Sequence, residues 1–216
     1  RIRNVPFHCD AVQAVGRLPV DIEELGADLV SLSAHKLCGP KGVGALIVRR
    51  GNRRARPEPL LDGGGHENGL RSGTLPVPLI VGFGTACQIA GEALHADASR
   101  IGNLRDALWT QIRSLLDGLH LNGHPTDRLP GNLNVSFEGI DGDVLMNSLK
   151  EIAASSGSAC TSAEPEPSHV LRAIGRSDGL TRASLRFGIG RFNTHEEIEF
   201  AADYVVETVN RLRNPT

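Results

Sequence analysis

Cys160 sits in the run Ser155-Ser156-Gly157-Ser158-Ala159-Cys160-Thr161-Ser162-Ala163, where every neighbour is small and none is bulky. A thiol on such a tether can be presented to a reacting centre and withdrawn, because Gly and small residues leave a loop backbone free to move. The bland reading is a Ser-rich loop that happens to hold a cysteine. A free thiol is only about 3% thiolate at neutral pH, so a working Cys160 needs local activation. A second candidate is Lys36 in Ser33-Ala34-His35-Lys36, directly after an apolar run. An amine at the carboxyl end of a strand is placed for partial desolvation, which favours its nucleophilic form. Alone this is weak, since such lysines are mostly solvated loop residues. Asp10 and Gln13 follow another apolar run in the same way. Ligands bind outside the carboxyl ends of strands in open α/β sheets, so Asp10 and Lys36 could face one cleft. A carboxylate opposite a Schiff-base lysine suits pyridoxal phosphate, whose ring nitrogen it keeps protonated so that the ring acts as an electron sink. Gln13 could then donate to the ring hydroxyl oxygen, and Ser33 and His35 to the phosphate.

The elements that must carry these groups follow from hydrophobic pattern. Residues 5–9, 28–33 and 43–48 read as strands, with a short helical turn over 22–25 between the first two. Closely spaced apolar strands suggest a sheet covered on both faces. Residues 49–74 read as loop. A long helical stretch follows over about 77–119, with a break expected near Asp97-Ala98. Then come a strand over 132–137, a helix over 144–152, the Cys160 loop, a helix over 170–174 and a strand over 183–187. A last helix over 194–212 opens on the capping-box pattern Thr194-His195-Glu196-Glu197. The division expected is 1–75 as a sheet segment and 76–216 as the long helix with a smaller α+β domain.

Composition bounds the rest. The chain has 216 residues, 40% of them hydrophobic, with 25 Gly, 12 Pro and a net charge of −2. That balance suits an α/β protein and argues against a general nucleic-acid binder. No apolar run is expected to approach a membrane span. Four scattered cysteines without a CxxC pair point to a reducing, cytoplasmic setting rather than a disulfide framework. Cys9 and Cys87 read as core residues, and Cys38 as part of a turn. His66 reads as a loop histidine held by backbone. The remaining histidines show no metal-ligand spacing. Gly39-Pro40-Lys41-Gly42-Val43-Gly44 lacks the spacing of a nucleotide-binding phosphate loop. Arg49, Arg50, Arg53, Arg54 and Arg56 form either a solvated loop or a docking patch for an acidic partner.

The chain resembles the cysteine desulfurases, in the group that includes the bacterial housekeeping and nitrogen-fixation enzymes. The resemblance is carried by His8-Cys9-Asp10-Ala11-Val12-Gln13, Ser33-Ala34-His35-Lys36, Gly63-Gly64-Gly65-His66-Glu67 through Arg71-Ser72-Gly73-Thr74, Ser155-Ser156-Gly157-Ser158-Ala159-Cys160 and Leu185-Arg186-Phe187. It runs in order through essentially the whole chain. It implies a class-V aminotransferase-like fold of the fold type I pyridoxal-phosphate enzymes: an α/β large-domain portion with a mainly parallel sheet, plus a smaller α+β C-terminal domain. It implies that Lys36 forms the Schiff base and shuttles protons, that Asp10 and Gln13 hold the ring, and that Ser33 and His35 bind phosphate. Thr74 would reach the phosphate of the neighbouring subunit in a homodimer. Arg186 would clamp the carboxylate of L-cysteine, a task its two-pronged guanidinium suits. Cys160 would take the sulfur as a persulfide, leave L-alanine, and pass the sulfur to an acceptor or iron–sulfur scaffold protein for cluster assembly or tRNA thiolation, ligating a nascent iron–sulfur cluster in passing. No resident metal, direct nucleic-acid partner or membrane is implied. A selenocysteine lyase or carbon–sulfur lyase on the same fold, and a non-catalytic interaction subunit, are the alternatives. The absence of an initiator Met and the family pattern suggest part of a longer polypeptide. The N-terminal portion would hold the aromatic side chain stacked on the cofactor and the main phosphate loop.

Overall fold

The computed structural model describes residues 5–51, 55–156 and 167–214. The chain divides into two compact units, Arg1–His95 and Ala96–Thr216.

In the first unit, β1 (His8–Asp10) pairs in parallel with β2 (Leu29–Ser33), which pairs antiparallel with β3 (Gly44–Val48). The expected mainly parallel sheet is thus represented by one parallel and one antiparallel pairing among the described residues. The reason is length: residues 34–43 are too few for the crossover that parallel neighbours need. The helical turn α1 (Ile22–Leu25) lies between β1 and β2. It starts where Asp21 accepts from the amides of Glu23 and Glu24, and ends at Gly26 with φ 63°. Ala11, Ala27 and Val30 form a small core beside it. A 3-10 turn, Ala34–Leu37, follows β2, and its Ala34 and Leu37 pack with Phe83, Ala86 and Ala90. The sheet is not covered on both faces as expected: Leu46 and Ile47 of β3 stay exposed. An apolar strand pattern shows that a face can be covered, not that these residues cover it.

Helix α2 runs over Val77–Leu115. It does not break at Asp97, because neither Asp97 nor Ala98 obstructs a helix and Asp97 Oδ2 accepts from Arg191 Nε at 2.6 Å. It stops short of Leu119, since Gly118 turns the chain at φ 65° and Leu119–Leu121 becomes strand β4. One 18-residue window of α2 has a mean hydropathy of 1.4, long and apolar enough by length and composition to cross a membrane. The sequence reading missed this because Gly82, Gly84, Thr85 and Gln88 interrupt the apolar residues that follow Leu79-Ile80-Val81.

The second unit continues with β5 (Asn132–Phe137), α3 (Gly142–Ser148), β6 (Ser155–Ser156), α4 (His169–Ala173), α5 (Asp178–Arg182), β7 (Ser184–Gly188) and α6 (His195–Arg213). Its sheet has the order β4-β5-β7-β6, and every pairing is antiparallel. Alternation sets its faces. Leu133, Val135 and Phe137 of β5 and Leu185 and Phe187 of β7 share one core with Leu104, Leu108 and Ile112 of α2 and with Ile198, Ala202, Val205 and Val209 of α6. The capping box expected at Thr194 is present: its hydroxyl accepts from Glu197 N while the Glu197 carboxylate accepts from Thr194 N.

Candidate active site

The parallel register Asp10↔Ser31 points the carboxyl ends of β1 and β2 the same way. Five of the residues singled out in sequence, Asp10, Gln13, Ser33, His35 and Lys36, lie at or just beyond those two ends. Asp10 ends β1, exposed, and its Oδ1 accepts from Val12 N at 3.0 Å, the turn that an Asx side chain makes with the backbone two residues on. Gln13 is exposed in that turn. Ser33 ends β2, and its hydroxyl lies 2.8 Å from His35 Nδ1. His8, not singled out beforehand, makes a similar pair one register step inward, Nε2 to Ser31 Oγ at 2.7 Å. Period-2 spacing from Ser33 to Ser31 was the sequence signal for this second pair.

Lys36 stands half-buried in the 3-10 turn. The turn is fixed on both sides. Ala34 is fully buried beneath it, and Cys38 closes it in a left-handed conformation (φ 61°) while Gly39 N donates to Ala34 O at 2.9 Å. A Cβ on Gly39 would come within 3.0 Å of the Ala86 Cβ and 2.9 Å of the Ala34 oxygen, so only glycine passes between turn and helix. Cys38 is therefore a turn residue, as expected. Cys87 is not a core residue: it is exposed on α2, although the surrounding helix surface desolvates the thiol enough to raise its pKa. Cys9 is half-buried.

His66 is held by backbone, as the sequence suggested: Gly73 N donates to its Nδ1 at 3.3 Å. Next to it Glu67 and Asn68 both take left-handed conformations, with φ 54° and 56°. Thr74 is exposed just ahead of α2.

Arg186 belongs to the second unit and lies on the polar face of its sheet, exposed, between Asn134 of β5 and Ser155 of β6. Its guanidinium has no partner among the described residues. Cys160 lies outside the described residues, as do Arg53 and Arg54. The polar network beneath Arg186 was missed in sequence. Asn122 Nδ2 donates to Asn134 Oδ1 at 2.7 Å and to Ser136 Oγ at 2.8 Å, Ser136 and Ser184 hydroxyls lie 2.7 Å apart, and Arg176 Nε donates to Asn122 Oδ1 at 2.6 Å. The alternation Asn132-Leu-Asn134-Val-Ser136 marks one face of β5 as polar, but Asn122 and Arg176 are too distant in sequence to be read with it.

The chain is 54% identical over 213 residues to "Cysteine desulfurase IscS" of Anaeromyxobacter sp. (strain Fw109-5), which covers 99% of this chain and 52% of that one. It is 52% identical to "Cysteine desulfurase, mitochondrial" of Arabidopsis thaliana, over 97% of this chain and 46% of that one. It spans about half the length of the curated relatives it matches. Among solved structures, a "NIFS-LIKE PROTEIN" superposes with a TM-score of 0.84 at 37% identity, covering 96% of this chain and 53% of that one. The fold is therefore that of the NifS-like proteins. The Aminotransferase class-V family model matches residues 1–200. On that match the chain belongs to the class-V aminotransferase family.

Proposed function

We propose that the protein is a pyridoxal-phosphate-dependent cysteine desulfurase. The observation that carries the reading is the placement of Asp10, the Ser33–His35 pair and Lys36 at the shared carboxyl end of the parallel strands β1 and β2. The donor set fits the cofactor: an exposed carboxylate for a pyridinium nitrogen, a hydroxyl and an imidazole for phosphate, and an amine for the aldehyde. Gln13 adds an amide donor beside Asp10, and Thr74 supplies a hydroxyl to the phosphate bound by the partner of a homodimer. The cofactor, when bound, supplies an electron sink for a substrate amino acid.

Lys36 would hold the cofactor through Nζ and later move a proton at that atom. Arg186 would fix the carboxylate of L-cysteine through a bidentate contact. The Cys160 thiolate would attack the substrate sulfur. A sulfur–sulfur bond forms as the carbon–sulfur bond breaks, and the electron pair left on carbon takes a proton to give L-alanine. The Cys160 persulfide would then be delivered to a sulfur-acceptor or iron–sulfur scaffold protein. The scattered cysteines suit a reducing compartment such as the cytoplasm.

The test is incubation of the cofactor-loaded protein with L-cysteine and dithiothreitol. Sulfide and alanine should form in equal amounts, Cys160→Ala should abolish both, and borohydride reduction should leave a pyridoxyl group on Lys36. A protein that stays colourless after loading, or a Cys160→Ala variant as active as its parent, overturns the reading.

A further inference from the structure

We infer that Asn134 is a second binding residue for the substrate carboxylate, donating through its side-chain NH2 beside Arg186. The inference rests on the reading of Arg186 as the carboxylate clamp and deepens it.

The register supplies the first argument. Asn134 is the Cα partner of Arg186 in the β5–β7 ladder. The backbone bonds Ile189 N to Gly131 O and Phe137 N to Ala183 O, both 2.9 Å, place the hydrogen-bonded pairs at odd-numbered residues of β5. Asn134 and Arg186 therefore form a non-hydrogen-bonded pair, the kind in which side chains stand closest. The next such pair on the same face, Ser136 and Ser184, has its hydroxyls in direct contact at 2.7 Å.

The second argument fixes which end of the Asn134 amide is free. Arginine only donates, so the Asn122 atom that meets Arg176 Nε at 2.6 Å is the oxygen. The other end of Asn122 is then its NH2, which faces Asn134 at 2.7 Å and must meet an acceptor. The Asn134 oxygen is thereby consumed and its NH2 is left over. That NH2 has no partner among the described residues, and it is not among the buried unpaired atoms, so it reaches solvent. Arg176 also donates to Leu121 O at 2.7 Å, which holds the whole relay in place. An oriented NH2 beside a free guanidinium suits a carboxylate, whose two oxygens offer more acceptor sites than a bidentate arginine uses.

Two measurements test this. In the cofactor-free protein, titration with propionate is followed by the side-chain amide signals of Asn134 and the guanidinium signal of Arg186. Both should shift with one shared dissociation constant. In the holoenzyme, Asn134→Ala should raise KM for L-cysteine about tenfold, with kcat nearly unchanged, the pattern of lost ground-state binding. If the Arg186 signal moves while that of Asn134 does not, or if KM is unaltered in a folded Asn134→Ala protein, the inference fails and the Arg186 clamp stands. If neither signal moves, the clamp fails and takes the inference with it. Should Asn134→Ala not fold, the signals of the unaltered protein decide.

Discussion

Arg49 Nη2 donates to Asp28 Oδ1 at 2.8 Å, and the other oxygen of Asp28 accepts from Phe7 N at the same distance. Asp28 is only 1% exposed, just ahead of β2, while Phe7 precedes β1 and Arg49 follows β3. One buried carboxylate thus ties the three strands of the first unit together. Arg49 is accordingly committed inside the fold and is no part of a free docking run; Arg50 and Arg56 are exposed.

Removing a cation from a buried carboxylate leaves that charge less well compensated, at a cost that reaches about 3 kcal/mol. Arg49→Ala should therefore lower the urea midpoint of the protein strongly, whereas Arg56→Ala should leave it within error. Equal midpoints for both variants would show that Asp28 is satisfied without Arg49.

Cys38 occupies a left-handed conformation at the end of the turn that bears Lys36. A side chain costs about 1–2 kcal/mol there, and glycine avoids that cost at some loss of unfolded-state entropy. Cys38→Gly should stabilise the protein by about 1 kcal/mol in denaturant melts. The variant should leave the Lys36 turn unchanged, so borohydride trapping at Lys36 should proceed as in the parent.

The Arg172–Asp178 fork, with Nε to Oδ1 at 2.7 Å and Nη2 to Oδ2 at 2.8 Å, joins α4 to α5. The hydrogen bond from Arg172, reinforced by its charge and that of Arg182, holds the Asp178 carboxyl below the usual carboxylate range. A depressed folded-state pKa contributes stability that is present above the unfolded-state value and disappears as pH falls through the folded one. Asp178→Asn should consequently melt below its parent at neutral pH. The gap should close on acidification below about pH 4. A gap that persists at lower pH would assign the effect to something other than ionisation.

Local placement was legible in the sequence wherever neighbours in the chain do the work. Asp10, Ser33 and Lys36 each end or follow a strand that their own flanking residues define, and Thr194 caps its helix with a partner three residues on. The Asn122 network could not be read that way, since it joins residues 54 and 62 positions apart. The same holds for the Arg49–Asp28 pair: an arginine in a basic run looks solvated until the sheet register brings Asp28 beside it. Cys87 failed for a different reason. An apolar stretch in a helix names residues that could be buried, but only the partner surface selects which face is.

Two glycines in the β5–β7 ladder test how tightly that register is held. Gly131 O accepts from Ile189 N at 2.9 Å, and a Cβ on Gly131 would collide with the Ile189 carbonyl oxygen and come within 3.1 Å of Ile101 Cγ2. Both obstacles are hard, since one is backbone and the other belongs to a side chain packed on the core. Gly188, the partner of Asn132 in the same ladder, has nothing within 4 Å of the place a Cβ would take. Overpacking of the first kind costs about 1–3 kcal/mol, whereas a methyl in open space on a strand is close to neutral. Gly131→Ala should therefore lower the melting midpoint, and by pushing the strands apart it should also raise KM for L-cysteine through the Asn134–Arg186 pair three residues away. Gly188→Ala should do neither. Equal behaviour of the two alanine variants would mean that the start of β5 yields under strain, and that the spacing of Asn134 and Arg186 is set elsewhere in the sheet.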